Sequence, residues 1–378
     1  MWSSKYLTRI DIRAVFIIFL LMAISLLIIS SYSVDLQSDE VETPFFSPMV
    51  KTQSEWFAIG WVVFLFFAGF DYNKLREWAW IVYVASIVAL IGLFFTESIQ
   101  HVHRWYRLPY ISHSFQPSEY AKLALVIALS WFLERRASSS RSLLTALGGL
   151  LIFLVPFFLI LKQPDLGTAL VLFPMTLVIF YFGDIAPWLV RCMLVGALLA
   201  VGVVFLFYSG IVSHDEARPY VLKVVKEYQY ERLNPNTHHQ KAASCAIAIG
   251  GMTGVGFKES EYTRGGSLPV PYTDSAFPAF GEEFGFVGLV FLLVLFYGLI
   301  YCSFQVTAVA KDPFGRLLAA GISVFLAVHI CGNIGMMCGL LPITGVPLVL
   351  VSYGGSSVMS TMMALGILQS IYSRRFMF

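Results

Sequence analysis

Leu268-Pro269-Val270-Pro271-Tyr272-Thr273-Asp274, running on through Phe280-Gly281-Glu282-Glu283 to Phe284-Gly285, closes the longest polar interval of this chain and leads into an apolar run from Phe284 to Phe304. A stretch of turn formers followed by a run long enough to cross a bilayer marks a chain re-entering the membrane. Two prolines and the Gly265-Gly266 pair precede Asp274 and predict a stiff turn there instead of a helix. Glu282 and Glu283 open the apolar run. Carboxylates in a first helical turn suit the positive end of the helix dipole, so capping is the role expected of that pair. Asp274 has no such role. A loop aspartate is ordinarily a turn former, and its polar surroundings make this one a candidate for chemistry.

Outward from that point the chain is apolar almost throughout. Of its 378 residues, 58% are hydrophobic and 13% charged, against about 45–50% and about 25% in soluble domains. The fold class expected is an all-α polytopic membrane protein. Ten candidate spans lie at roughly 12–33, 56–71, 78–96, 118–134, 142–161, 168–183, 187–208, 284–304, 316–337 and 350–371. Residues 1–378 are read as one transmembrane domain, interrupted by a long loop at 209–283. Lys5, Arg9 and Arg13 precede the apolar run from Ala14 to Ser30. That run exceeds the about 7–15 residues of a signal-peptide core, so it is expected to stay as the first span. The net charge of +2 carries no nucleic-acid signal. The five cysteines form no CxxC pair, so neither a disulfide framework nor structural zinc is expected.

Ten spans put both termini on one side. With the termini cytoplasmic, the short inner segments hold thirteen basic residues, among them Arg135, Arg136, Arg374 and Arg375, and the short outer segments hold five. The positive-inside rule favours that orientation. The long 209–283 loop then faces the outside, where most of the non-random polar sequence collects. The inner loops read as topology signals. No Walker A sequence and no dinucleotide fingerprint is present.

Four outer constellations stand out. The first is His101-Val102-His103-Arg104-Trp105, then Gln116-Pro117-Ser118-Glu119 with Lys122. Pro117 fits a first helical turn, and Glu119 and Lys122, three apart, share a helix face and can pair. Ionisable residues inside a span are costly and point to function or to a structural ion pair. The second is Gln163-Pro164-Asp165-Leu166-Gly167-Thr168, where Asp165 is placed to cap the sixth span. The third is the long loop, with Lys226, Arg232, the His238-His239 pair read as surface, Gln240, and a glycine-rich patch from Ala242 to Gly256 too short to span. Its basic groups suit a phosphorylated, lipid-anchored ligand. The fourth runs from Asn333 through Pro342-Ile343-Thr344-Gly345-Val346-Pro347 to Ser352-Tyr353-Gly354-Gly355-Ser356-Ser357. Its Gly and Ser clusters permit close backbone approach.

In this order and spacing the set resembles the SEDS family of bacterial membrane proteins, the RodA/FtsW type. The matching pieces also include Tyr228-Gln229 with Arg232-Leu233, Leu268-Pro269 with Thr273-Asp274, and Glu282-Glu283 with Gly285. The short N-terminus and the lack of a long C-terminal tail look more like RodA. The resemblance implies a peptidoglycan glycosyltransferase of the bacterial cytoplasmic (inner) membrane that polymerises lipid II at the outer face, partnered by a class B penicillin-binding protein, the transpeptidase. It puts the family's essential aspartate on Asp274. Candidate substrate-binding residues are then Gln116, Glu119, Lys122, Gln163, Asp165, Arg232, Gln240, Thr273, Glu282, Glu283, Ser352 and Ser356.

The chemistry joins an acceptor sugar hydroxyl to a sugar carbon bearing a lipid pyrophosphate. It needs a base, positioning, and cations near the departing charge. Asp274 is the expected base, with inversion at the donor carbon. Arg232, or Lys122 released from Glu119, is expected on the pyrophosphate side, and Glu282 and Glu283 stand next in line as bases. A divalent cation, Mg²⁺ or Mn²⁺, bridging the phosphates is compatible with this chemistry, and the sequence names no ligands for one. Two other classes fit part of the pattern: a flippase for the lipid-linked precursor, and a non-catalytic scaffold for the transpeptidase.

Overall fold

The structure, a computed structural model, describes residues 2, 4–32, 45–96, 104–107, 114–223, 227–235 and 237–375. His101, His103 and Lys226 lie outside the described residues. In chain order come α1 (Ile12–Tyr32), α2 (Pro48–Gly69), α3 (Asn73–Gly92), a two-stranded hairpin of β1 (Tyr106–Arg107) and β2 (Ser114–Phe115), α4 (Pro117–Arg135), α5 (Leu143–Lys162), α6 (Leu166–Phe182) and α7 (Pro187–Tyr208). Four short helices follow: α8 (His214–Val221), α9 (Glu227–Glu231), α10 (His238–Gly250) and α11 (Glu261–Arg264). The chain then finishes with α12 (Ala276–Val309), α13 (Pro313–Met337) and α14 (Gly355–Ser373).

Ten of these helices fall on the ten expected apolar runs. Their starts follow local chemistry. Pro48, Pro117, Pro187 and Pro313 sit in first turns, where the missing N–H costs nothing and the fixed φ suits a helix. Ser47, Ser142, Asp165 and Asp312 cap α2, α5, α6 and α13 by accepting from backbone N–H groups.

Among the described residues, six helices are long and apolar enough to cross a membrane: α1, α3, α5, α7, α12 and α13. The helices that fall short of that measure are instructive. α4 carries Glu119 and Lys122, and both are buried among other helices, the placement a bilayer requires of intramembrane charge. α14 lies along α2 and is buried along most of its length. α13 is the central helix, packed on α12, α6 and α4, whereas α7 lies on the outside with most of its surface bare.

The largest departure from the sequence expectation is at α12. It begins at Ala276, ahead of the expected apolar run, and breaks at Gly285, where φ is 62°. Glu282 and Glu283 therefore lie beyond its first turn and do not cap it. They cap the preceding loop instead. Glu282 accepts from the Tyr262 and Thr263 N–H groups, both at 3.2 Å, and Glu283 accepts from Lys258 N–H at 3.1 Å and from the Ser31 and Ser260 hydroxyls. The loop after α10 lies along the break. Val255 N–H donates to Glu282 O at 3.0 Å, and Phe286 N–H to Gly251 O at 2.9 Å. A Cβ on Gly250, Gly254 or Gly285 would overlap the facing backbone. The glycine-rich patch is thus a backbone-to-backbone seam.

At the end of the bundle away from that seam, Arg76 bridges Glu134 at 2.8 Å and Asp312 at 2.9 Å, joining α3, α4 and the start of α13. Arg374 donates to Gly69 O at 2.9 Å. Some of the basic residues read as topology signals also hold helices together.

Candidate active site

The loop 268–275 is closed on itself. Thr273 N–H donates to Val270 O at 3.1 Å, Ser275 N–H donates to the same carbonyl at 3.4 Å, and the Ser275 hydroxyl reaches Pro269 O at 2.7 Å. Val270, a β-branched residue, is held at φ 44°, a conformation that persists only where the surroundings enforce it. Two bonds tie this loop to the segment between α13 and α14, and an amide on α13 bridges the two. Tyr353 N–H donates to Tyr272 O at 2.8 Å, and the Ser352 hydroxyl donates to Thr273 O at 2.6 Å. The buried Asn333 amide of α13 donates to both Asp274 O at 2.9 Å and Val346 O at 2.8 Å.

The Asp274 carboxyl faces Gly345, where a Cβ would stand 3.5 Å from Oδ2 and φ is +72°. Part of its surface is open, yet protein crowds it on most sides. Burial raises its pKa above the ordinary carboxylate value. The Arg232 and Arg104 guanidiniums pull it down, Asp165 adds a smaller push upward, and the balance stays raised. Both arginines are anchored on backbone carbonyls. Arg232 Nη1 donates to Ile343 O at 3.2 Å and Thr344 O at 2.8 Å. Arg104 donates from Nε to Gln163 O at 3.2 Å and from Nη2 to Pro164 O. Gly167 fits beneath this, since a Cβ there would lie 2.5 Å from Thr344 O.

Around this centre the polar motifs converge. Asp165 caps α6 through Thr168 N–H at 3.2 Å, and its second oxygen accepts from Gln116 Nε2 at 3.4 Å. Gln116 N–H donates to the Ser356 hydroxyl at 3.2 Å. Gln163 donates to Leu90 O at 2.8 Å. Gln240 donates to Tyr208 Oη and to Leu341 O, both at 2.9 Å. The Thr273 hydroxyl turns back to Val270 O at 3.3 Å.

The match to the FtsW/RodA/SpoVE family of cell cycle proteins spans residues 12–375. The chain belongs to this family. Among its relatives, the peptidoglycan glycosyltransferase MrdB of Escherichia coli K12 is 31% identical over 319 residues, covering 84% of each chain. Stage V sporulation protein E of Bacillus subtilis 168 is 32% identical over 385 residues, covering 97% of this chain and 98% of that one. A chain of a peptidoglycan synthase complex that coordinates polymerisation and crosslinking superposes with a TM-score of 0.75 at 27% identity, covering 98% of this chain and 99% of that one. The rod shape determining protein RodA of Thermus thermophilus gives 0.70 at 25% identity, with 98% of both chains covered. As an FtsW/RodA/SpoVE protein with these apolar helices, the chain is a multi-pass protein of the bacterial inner membrane.

Not every candidate of this FtsW/RodA/SpoVE chain reaches the Asp274 centre. Lys122 is fully buried, with Nζ 2.7 Å from Glu119 Oε1, 2.8 Å from His329 Nε2 and 5.0 Å above the Phe325 ring. Glu119 also accepts from the Ser360 hydroxyl at 3.0 Å. This pair is a structural tie between α4, α13 and α14, and it keeps Lys122 away from any exposed phosphate. Glu282 and Glu283 are equally buried and already hold the 258–263 segment. His239, expected at the surface, is half-buried with Nε2 2.6 Å from the Ser275 hydroxyl. Arg104, His329 and Asn333 also belong to this end of the bundle, and none of them is among the candidates expected from sequence. The signal available for the last two was a polar side chain inside an apolar span. Among the described residues no three His, Cys, Asp or Glu side chains cluster to hold a metal. The Asp274 surroundings, with two guanidiniums beside two carboxylates, do not suit a cation.

Beside the site, an apolar groove of about 550 Å³ runs between α6, α7 and α13. Leu170, Val204, Phe205 and Val328 line it, together with Gly167 and Thr344. Its outer wall is α7, the barest helix of the bundle.

Proposed function

We propose that the chain polymerises lipid II into glycan strands at the outer face of the inner membrane, with Asp274 as general base. It is a peptidoglycan glycosyltransferase of cell-wall synthesis. The observation that carries the residue assignment is a carboxyl of raised pKa, flanked by two backbone-anchored arginines, one of them held on the Thr344 carbonyl of a residue that also lines the apolar groove. The acceptor sugar hydroxyl attacks the donor's anomeric carbon as Asp274 takes its proton. The bond to the lipid pyrophosphate breaks on the opposite side and inverts that carbon. Arg232 and Arg104 offset the charge that develops on the departing pyrophosphate. No acid is needed for so good a leaving group, which is why one carboxyl serves where glycosidases use two. The groove beside Thr344 takes the lipid chain.

The outer-face placement rests on the excess of basic residues in the opposite loops. The partner we propose is a class B penicillin-binding protein, and the role is wall elongation, in keeping with the likeness to MrdB and RodA. The test uses purified protein with labelled lipid II, alone and with that partner. Glycan polymer is the expected product. Movement of labelled precursor across protein-only vesicles with no polymer in either case would replace this reading by a transporter.

A further inference from the structure

Serine at the first position of a helix ordinarily caps it with its hydroxyl, at about 1 kcal/mol. Ser275 opens α12 and does not do so. Its hydroxyl donates to Pro269 O at 2.7 Å, closing the ends of the Asp274 loop on each other. A hydroxyl that donates its proton there can only accept from His239, so the proton between them sits on His239 Nε2, 2.6 Å away. Burial, then the neighbouring His238, pushes the His239 pKa down, which keeps the ring neutral at pH 7. The ring stands on α10, whose next residue, Gln240, grips Leu341 O on the segment that faces Asp274. One turn of α10 thus holds both walls of the site, and one of those walls contains Val270 in its disfavoured backbone state.

We propose that His239 is a positioning residue for the transfer reaction: its Nε2–H fixes the Ser275 hydroxyl on the Pro269 carbonyl and so holds the loop that aims Asp274 at the acceptor. Strain at Val270 favours another loop shape once the clasp is loosened. The effect falls on turnover, because the groove and the arginines that bind donor are untouched. This inference rests on Asp274 being the base.

The experiment measures initial polymerisation rates against lipid II concentration for wild type, His239→Leu, His239→Gln, Ser275→Ala, the His239→Leu/Ser275→Ala double variant and Asp274→Asn, each with a melting temperature. Removing the His239–Ser275 hydrogen bond predicts a loss of about tenfold in kcat, about 1.4 kcal/mol, for His239→Leu, and at least as large a loss for Ser275→Ala, which also removes the bond to Pro269 O, with KM within about twofold for both. His239→Gln, which keeps an N–H donor of similar reach, recovers to within about threefold of wild type. The double variant is no slower than Ser275→Ala alone, because the serine variant already removes the link that His239→Leu removes. Wild-type kcat in Ser275→Ala or His239→Leu, a glutamine variant as slow as leucine, or a double variant slower by the product of the two losses would each overturn the proposal. An inactive Asp274→Asn beside unaffected His239 variants sinks only the positioning role. An active Asp274→Asn sinks the base assignment itself.

Discussion

Asn333 is the residue whose replacement tests the architecture of the site most sharply. Its amide bridges Asp274 O at 2.9 Å and Val346 O at 2.8 Å, and its side chain is fully buried. Asn333→Leu keeps the branched shape and removes both bonds. Each is a neutral bond of about 0.5–1.5 kcal/mol, and a buried carbonyl left unpaired costs about 1–3 kcal/mol. Against this, Asn333 Oδ1 is itself buried without a partner among the described residues, so its loss returns about 1 kcal/mol. The balance is about 2 kcal/mol. If the bridge holds its full value in the transition state, polymerisation falls about 30-fold. The assay is lipid II polymerisation by purified protein, with thermal unfolding in the same detergent to separate a displaced loop from an unfolded chain. A variant within twofold of wild-type rate with an unchanged melting temperature would refute the claim that this amide couples the two walls of the site.

Lys122→Met leaves Glu119 buried without its cation and is expected to cost about 3–5 kcal/mol, read as a lowered melting temperature; Lys122→Met with Glu119→Leu recovers most of it. Gly285→Ala drives a methyl into the Gly254 backbone at a position held at φ 62°, and the folded fraction on size exclusion is expected to fall well below that of Gly332→Ala, where the added carbon meets nothing. Because burial raises the Asp274 pKa above its ordinary value of about 3.9, the loop is most stable below that value and loses stability as pH rises through the folded pKa. Asp274→Asn is therefore expected to melt above wild type at pH 7.5, with the gap closing towards pH 4. Polymerisation by wild type is expected to fall on the acid side at a higher pH than an ordinary carboxylate would give.

The membrane helices were legible because bilayer crossing demands apolar length, and the prolines and caps that start them are local signals. The convergence of Gln116, Asp165, Arg232, Gln240, Asp274 and Ser352 on one end of the bundle followed from the ordered motifs and the family resemblance, since no local pattern links residues so far apart. What stayed hidden depended on where helices begin and on who meets whom. Glu282 and Glu283 looked like caps because the apolar run starts beside them, but Ala276, Phe277 and Phe280 extend the helix backward and carry both carboxylates inward. Lys122 looked free to turn to a phosphate because its second partner, His329, is contributed by a helix about two hundred residues later. His239 looked like half of a surface pair because its contact, Ser275, lies across a turn whose closure no spacing announces.

The central claim is that Asp274 removes the acceptor proton. The most direct measurement is polymer formation from labelled lipid II by Asp274→Asn beside wild type, in protein whose unfolding curve shows it folded. No glycan above background is expected from the asparagine variant. Polymer at a rate within about tenfold of wild type would contradict it, since loss of a positioned general base costs at least about a hundredfold.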